Sequence, residues 1–213
     1  MAGRGREIAE VCKERSIDIL CVQETKWSGK SARVLLEGHK IYYTYAPQTG
    51  EADEEKEMFM ENFERIIKDI PGSEKVLVGA DFTGHVGKRS DGYQRVRGGK
   101  GHGQRNTEGE RILECAESLD MAVVNTFYQK RDEHLITFKS GQHATQIDYV
   151  MIRSADLKSV RNCKVIPEEA VVTQHRLLCV VLKIKQEKKR KPKTQKRIKI
   201  WKLKGDKIIE FQK

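Results

Sequence analysis

Between residues 52 and 81 an amphipathic helical pattern gives way, after a short break, to an apolar run that ends in a carboxylate. Phe59, Phe63, Ile66, Ile67 and Ile70 recur at i, i+4, i+7, i+8 and i+11, which is one face of a helix over residues 52–69. Glu51, Asp53, Glu54 and Glu55 stand at its start, where the helix dipole favours negative charge. Lys75 to Gly79 then reads as a strand. The same order appears earlier: Ile8, Val11 and Cys12 make a short helical face ending near Arg15, followed by the apolar strand Ile17 to Val22. Thr107-Glu108-Gly109-Glu110 is a capping box opening a helix with Ile112, Leu113, Ala116 and Leu119 on one side. Met121 to Asn125, Leu135 to Phe138, Gln146 to Ile152, Val160 to Val165 and Leu177 to Ile184 read as further strands. The seven glycines from Gly84 to Gly103 mark a stretch too long and polar for core. A first half of βα character and a mostly β second half predict an α/β (α+β) layered fold.

Charge divides the chain in two. The net charge of the 213 residues is +10, yet residues 183–213 hold 14 Lys and Arg against 3 Asp and Glu, a net of +11. Residues 1–182 hold 27 basic and 28 acidic side chains, a net of −1. This predicts a domain over residues 1–182 and a basic, disordered tail over 183–213. Lys188 to Lys193 with Lys196-Arg197 suits a solvated tail, and equally suits nucleic-acid contact or nuclear import. No apolar run approaches the ~20 residues of a membrane span, and Met1 to Arg6 lacks the apolar core of a secretory signal. Cys12, Cys21, Cys115, Cys163 and Cys179 are odd in number, lack a C-x-x-C pair and sit mostly among apolar residues. They read as buried thiols of a reducing compartment, with zinc disfavoured. The expected localisation is intracellular, with the nucleus favoured.

Three strands end in, or carry, a carboxylate: Ile17 to Val22 runs into Gln23-Glu24, Lys75 to Gly79 into Ala80-Asp81, and Gln146 to Ile152 holds Asp148. Any one alone is more often a cap or a turn residue. Three at strand ends suggest oxygen ligands for a hard divalent cation, Mg²⁺ above all with Mn²⁺ as the alternative. His175 precedes the strand Leu177 to Ile184, as a structural residue or as a basic group beside that cation.

Five ordered motifs now stand together: Gln23-Glu24-Thr25-Lys26-Trp27, Tyr45-Ala46-Pro47-Gln48-Thr49-Gly50, Gly79 to Gly87, Ile147-Asp148-Tyr149 and Thr173-Gln174-His175-Arg176. They resemble the endonuclease/exonuclease/phosphatase superfamily. The nearer match is to the endonuclease domain of non-LTR retrotransposons and the craniofacial development protein 2-like family. The resemblance runs to about Leu182, and Arg197 to Lys204 resembles the linker that precedes a reverse transcriptase in those polyproteins. It implies a four-layer α/β sandwich and Mg²⁺-dependent cleavage of DNA. By the same resemblance Glu24 is the metal-binding glutamate and Tyr45 the tyrosine near the scissile phosphate. Asp81 acts on the attacking water, Asp148 is the acidic residue following the third motif, and His175 contacts the phosphate. Phe127 and Tyr128, with Arg131 and His134, line a DNA groove or form a plain hydrophobic edge.

The pattern also departs from the family. The chain begins just after the superfamily's first strand and its asparagine, so both are expected to be absent. His39 to Tyr43 runs directly into Thr44-Tyr45, where family members have several intervening strands. Thr83 replaces an asparagine amide with a hydroxyl of shorter reach. Gln174 stands where many members have an aspartate that orients and charges the histidine. These departures predict an incomplete fold and an endonuclease activity weakened or lost. The alternative is a non-catalytic nucleic-acid or chromatin-associated protein that binds through its basic tail.

Overall fold

The computed structural model describes residues 13–14, 32–34, 40–42, 52–89, 91–167 and 174–183. Glu24, Tyr45, Cys12, Cys21, the strand Ile17 to Val22 and the tail beyond residue 183 lie outside the described residues. The elements in chain order are β1 (Ala32–Val34), β2 (Lys40–Tyr42), α1 (Asp53–Asp69), β3 (Leu77–Asp81), α2 (Thr107–Ser118) and β4 (Met121–Val123). They continue with β5 (Phe138–Ser140), β6 (His143–Thr145), β7 (Asp148–Arg153), β8 (Val160–Ile166) and β9 (Leu177–Leu182). Helices and antiparallel sheets are thus mixed, as the α/β class requires. Among the described residues no helix is long and apolar enough to cross a membrane.

Among the described residues the central sheet runs β3-β7-β4, both pairs antiparallel, and β1-β2, β5-β6 and β8-β9 pair two by two. Strand β7 is buried along nearly its whole length, and its side chains alternate between two cores. Tyr149 and Met151 meet Phe63 and Ile67 of α1 and Ile112, Leu113 and Ala116 of α2. Val150 and Ile152 face the other way, against Val160 and Cys163 of β8. Burial raises the thiols of Cys115 and Cys163 to about 12, so both are inert, neutral core residues.

Several boundaries differ from the sequence expectation, each for a local reason. Strand β3 extends to Asp81 because Gly79, Ala80 and Asp81 pair with Val150, Tyr149 and Asp148. Strand β4 stops at Val123, where a 3₁₀ turn over Val124–Phe127 begins. Asp132–His134 is also a 3₁₀ turn, closed by bonds from the Leu135 and Ile136 amides to the Asp132 carbonyl, so the strand starts only at Phe138. Strand β7 starts at Asp148 because the preceding amide and carbonyl, on Ile147, are taken by Thr137 and Phe82. The cap of α2 is Asn106, not Thr107. Its side-chain oxygen accepts from the Gly109 amide and from the His85 amide, both at 2.8 Å, so one carbonyl serves a helix end and a neighbouring loop.

The glycine-rich segment corrects the reading of it as surface. Val86 and Val96 are fully buried and Arg97 is only 1% exposed. The Arg97 guanidinium donates to the carbonyls of Val86, Gly87, Arg89 and Lys100 and so gathers the segment around itself. Glycine is needed there for close approach. A Cβ on Gly109 would overlap the His85 carbonyl, and one on Gly101 would overlap the Gly87 carbonyl. These contacts seat the loop that follows Asp81 directly on α2.

Candidate active site

Antiparallel register sets Asp81 of β3 directly opposite Asp148 of β7, at one end of the central sheet. Opposed like charges destabilise a sheet unless something separates or offsets them. His175 does so here. Residues 174–176 pair with β5 through Lys139 N–H to the Gln174 carbonyl at 2.9 Å and Arg176 N–H to the Thr137 carbonyl at 2.8 Å. Phe138 and His175 form an isolated bridge, and the Phe138 ring meets the imidazole edge-on with centroids 5.0 Å apart.

So held, His175 lies with Nδ1 at 3.2 and 3.1 Å from the two Asp148 oxygens, and Nε2 at 3.8 Å from Oδ2 of Asp81. Donor atoms of the three residues fall within 4.8 Å of one another. With Asp148 accepting from Nδ1–H, Nε2 faces the Asp81 carboxylate. This corrects the expectation attached to Gln174. The carboxylate partner of His175 is Asp148, reached across the fold. The Gln174 amide is exposed and donates instead to the Ser140 hydroxyl at 2.9 Å.

Asp148 is mounted by buried side chains. The Thr137 hydroxyl, with Thr137 0% exposed, accepts from the amides of Ile147 and Asp148, both at 3.0 Å. Asn125 bonds the backbone on the other side. Tyr149 steadies the loop after Asp81: its hydroxyl bonds the Gly84 and Gln146 carbonyls at 3.1 and 2.5 Å and accepts from the Val86 amide at 3.2 Å. Complete burial pushes that phenol well above its usual range, so it stays a donor. Sequence reasoning misses Thr137, Asn125, Phe138 and Tyr149 as site residues. Two of these leave a signal: Asn125 as an amide closing the apolar run Met121 to Val124, and Tyr149 within the Ile147-Asp148-Tyr149 motif.

Thr83 donates its backbone N–H to Oδ1 of Asp81 at 2.9 Å. What that position gives Asp81 is therefore a backbone bond, available with any side chain. Its φ of 53° is the left-handed region, which a β-branched residue enters at a cost. Thr83→Asn is expected to raise stability by about 1 kcal/mol, because asparagine tolerates this conformation. Chemical denaturation reads the difference, and an equal or lower stability would show that Thr83 is unstrained.

Phe127 and Tyr128 pack against the Val150 and Ile152 core, and a Cβ on Gly98 would strike the Phe127 backbone. Arg131 pairs with Glu133 at 2.8 Å, and Nδ1 of His134 bonds the Val165 carbonyl at 3.0 Å.

The paired carboxylates suit a hard divalent cation, which takes oxygen donors and is held by one or two carboxylates. The imidazole does not suit Mg²⁺, and its Nδ1 is already committed to Asp148. The donor chemistry therefore fits the ion at the carboxylates and leaves His175 outside its ligand set.

The chain is similar to craniofacial development protein 2. It is 26% identical over 147 residues to that protein of Bos taurus and 25% identical over 147 residues to that of Tragulus javanicus. Each match covers 68% of this chain, and 24% and 25% of the two relatives. The chain thus spans about a quarter of the length of the curated relatives it matches. No family model matches. The similarity supports a distant relationship to craniofacial development protein 2.

Proposed function

We propose that the chain carries an endonuclease-type site that hydrolyses DNA phosphodiesters in the presence of Mg²⁺, at a rate reduced from its ancestry. The observation behind this reading is His175 between two carboxylates, Asp148 on Nδ1 and Asp81 beside Nε2. Asp81 takes a proton from water attacking phosphorus as the new P–O bond forms. His175, doubly protonated with Asp148 accepting from Nδ1–H, donates Nε2–H to a phosphate oxygen and so offsets charge as the bond to the leaving oxygen breaks. By resemblance Tyr45 stands near the scissile phosphate. By the same resemblance Glu24 would hold Mg²⁺, which would supply Lewis-acid polarisation of the phosphate. The scaffold of this reading is the four-layer sandwich. The reduced rate is ascribed to Thr83, whose hydroxyl, where the family has an amide, has shorter reach toward a bound phosphate. A nuclear location agrees with both the DNA substrate and the basic 183–213 segment.

Nicking of supercoiled plasmid with Mg²⁺ tests this. The parent protein should nick, EDTA should stop it, and Asp81→Ala and His175→Ala should lose about 10²-fold or more. Equal nicking by all three proteins would sink the hydrolytic reading. The +11 charge of residues 183–213 favours a second reading, binding without cleavage. It stands if the parent protein binds without nicking and if that salt-sensitive binding vanishes on removal of 183–213, since phosphate neutralisation releases counterions.

A further inference from the structure

Strand β4 runs beside β7 only from Met121, opposite Arg153, to Val123, opposite Met151. Beyond Val123 the chain enters the 3₁₀ turn, yet β7 continues toward the site for three more residues, to Asp148. The side chain of Asn125 stands where the ladder stops. Its Oδ1 accepts from the Val150 amide at 2.9 Å, and its Nδ2 donates to the Asp148 carbonyl at 3.0 Å. One amide therefore replaces both a strand's acceptor and its donor, at the residue whose carboxylate holds His175. Asn125 is 2% exposed and touches neither the imidazole nor the space in front of it by any described bond.

We propose that Asn125 is a positioning residue that sets the Asp148–His175 pair, a role that rests on the hydrolytic reading given above. A β4 strand prolonged to this depth would fix the backbone equally well. The turn instead delegates the last bonds to one side chain, so a single substitution can loosen Asp148 while leaving the sheet register from Met121 to Val123 in place. An error on the order of 1 Å in a reacting group costs about 10²-fold in rate.

The test follows the imidazole N–H resonances of the full chain by ¹H–¹⁵N NMR. The Nδ1–H signal of His175 is assigned by its loss in His175→Gln, and that of His134, bonded to the Val165 carbonyl, serves as internal reference. Asn125→Ala should shift or broaden the His175 signal and leave that of His134 unchanged. It should also lower kcat for nicking about 10²-fold with KM unchanged. Asn125→Asp keeps the volume and the acceptor for Val150 but removes the donor to Asp148. It should give the same NMR change and remains informative if the alanine variant folds poorly. Val124→Ala, a cavity in the neighbouring buried residue, should lower the melting temperature without moving the His175 signal. An unchanged signal in both Asn125 variants, or an equal change in Val124→Ala, overturns the positioning role. Absence of nicking by the parent protein overturns the hydrolytic reading alone, and the resonance result still decides the role of Asn125.

Discussion

Arg97→Met is expected to cost about 3–5 kcal/mol of folding stability, near the top of the range for single substitutions. The guanidinium is buried and bonds four backbone carbonyls, those of Val86, Gly87, Arg89 and Lys100. Methionine fills much of the volume but donates nothing, and each buried acceptor left bare costs about 1–3 kcal/mol unless water reaches it. Burial pulls the Arg97 guanidinium down to about 10, so it is still charged at neutral pH and its hydrogen bonds work against a desolvation cost. The loss should extend to function, because Val86 is held at its carbonyl by Arg97 and at its amide by Tyr149. Between Asp81 and that anchor lie only Phe82 to His85. Guanidinium chloride unfolding measures the effect. A loss below about 1 kcal/mol would mean that the segment packs without its arginine.

Asp148→Asn is expected to leave folding intact and to reduce nicking by about 10²–10⁴-fold. The backbone of Asp148 is held by Thr137 and Asn125, so the substitution spares its mounting. It removes the carboxylate that accepts from Nδ1 of His175 and puts in its place an amide that can donate to that nitrogen. The doubly protonated imidazole that donates Nε2–H to substrate then loses its counter-charge. The substitution removes the like charge opposite Asp81 but also the carboxylate that His175 bonds, so the melting temperature should change little. Single-turnover nicking beside thermal unfolding separates the two effects. Activity within a few-fold of the parent would show that Asp148 does not set the imidazole.

How much was legible in the sequence depended on how local the cause was. The helix over Asp53–Asp69 was readable because a 3.6-residue period and an acidic first turn act within the segment. Asp81, Asp148 and His175 were readable one by one, as polar residues at the ends of apolar runs. Their mutual arrangement was not. Reading along the chain, Gln174 is the natural neighbour for His175, whereas the partner is Asp148, 27 positions away. The glycine-rich segment misled for a related reason. Glycine and arginine look like surface until a fold wraps carbonyls around the guanidinium and brings α2 against bare backbone.

The residue pattern by itself determined that helices and strands alternate, that the α/β class follows, and that carboxylates and a histidine fall at strand ends. It also determined the split between a near-neutral body and a basic segment after residue 182. The tertiary structure alone decided that Asp81 and Asp148 stand opposite each other, that His175 lies between them, and that Arg97, Thr137, Asn125 and Tyr149 hold them there. Periodicity and charge are properties of neighbouring residues in the chain. Strand register and the satisfaction of buried polar groups come from residues brought together only when the chain has closed on itself.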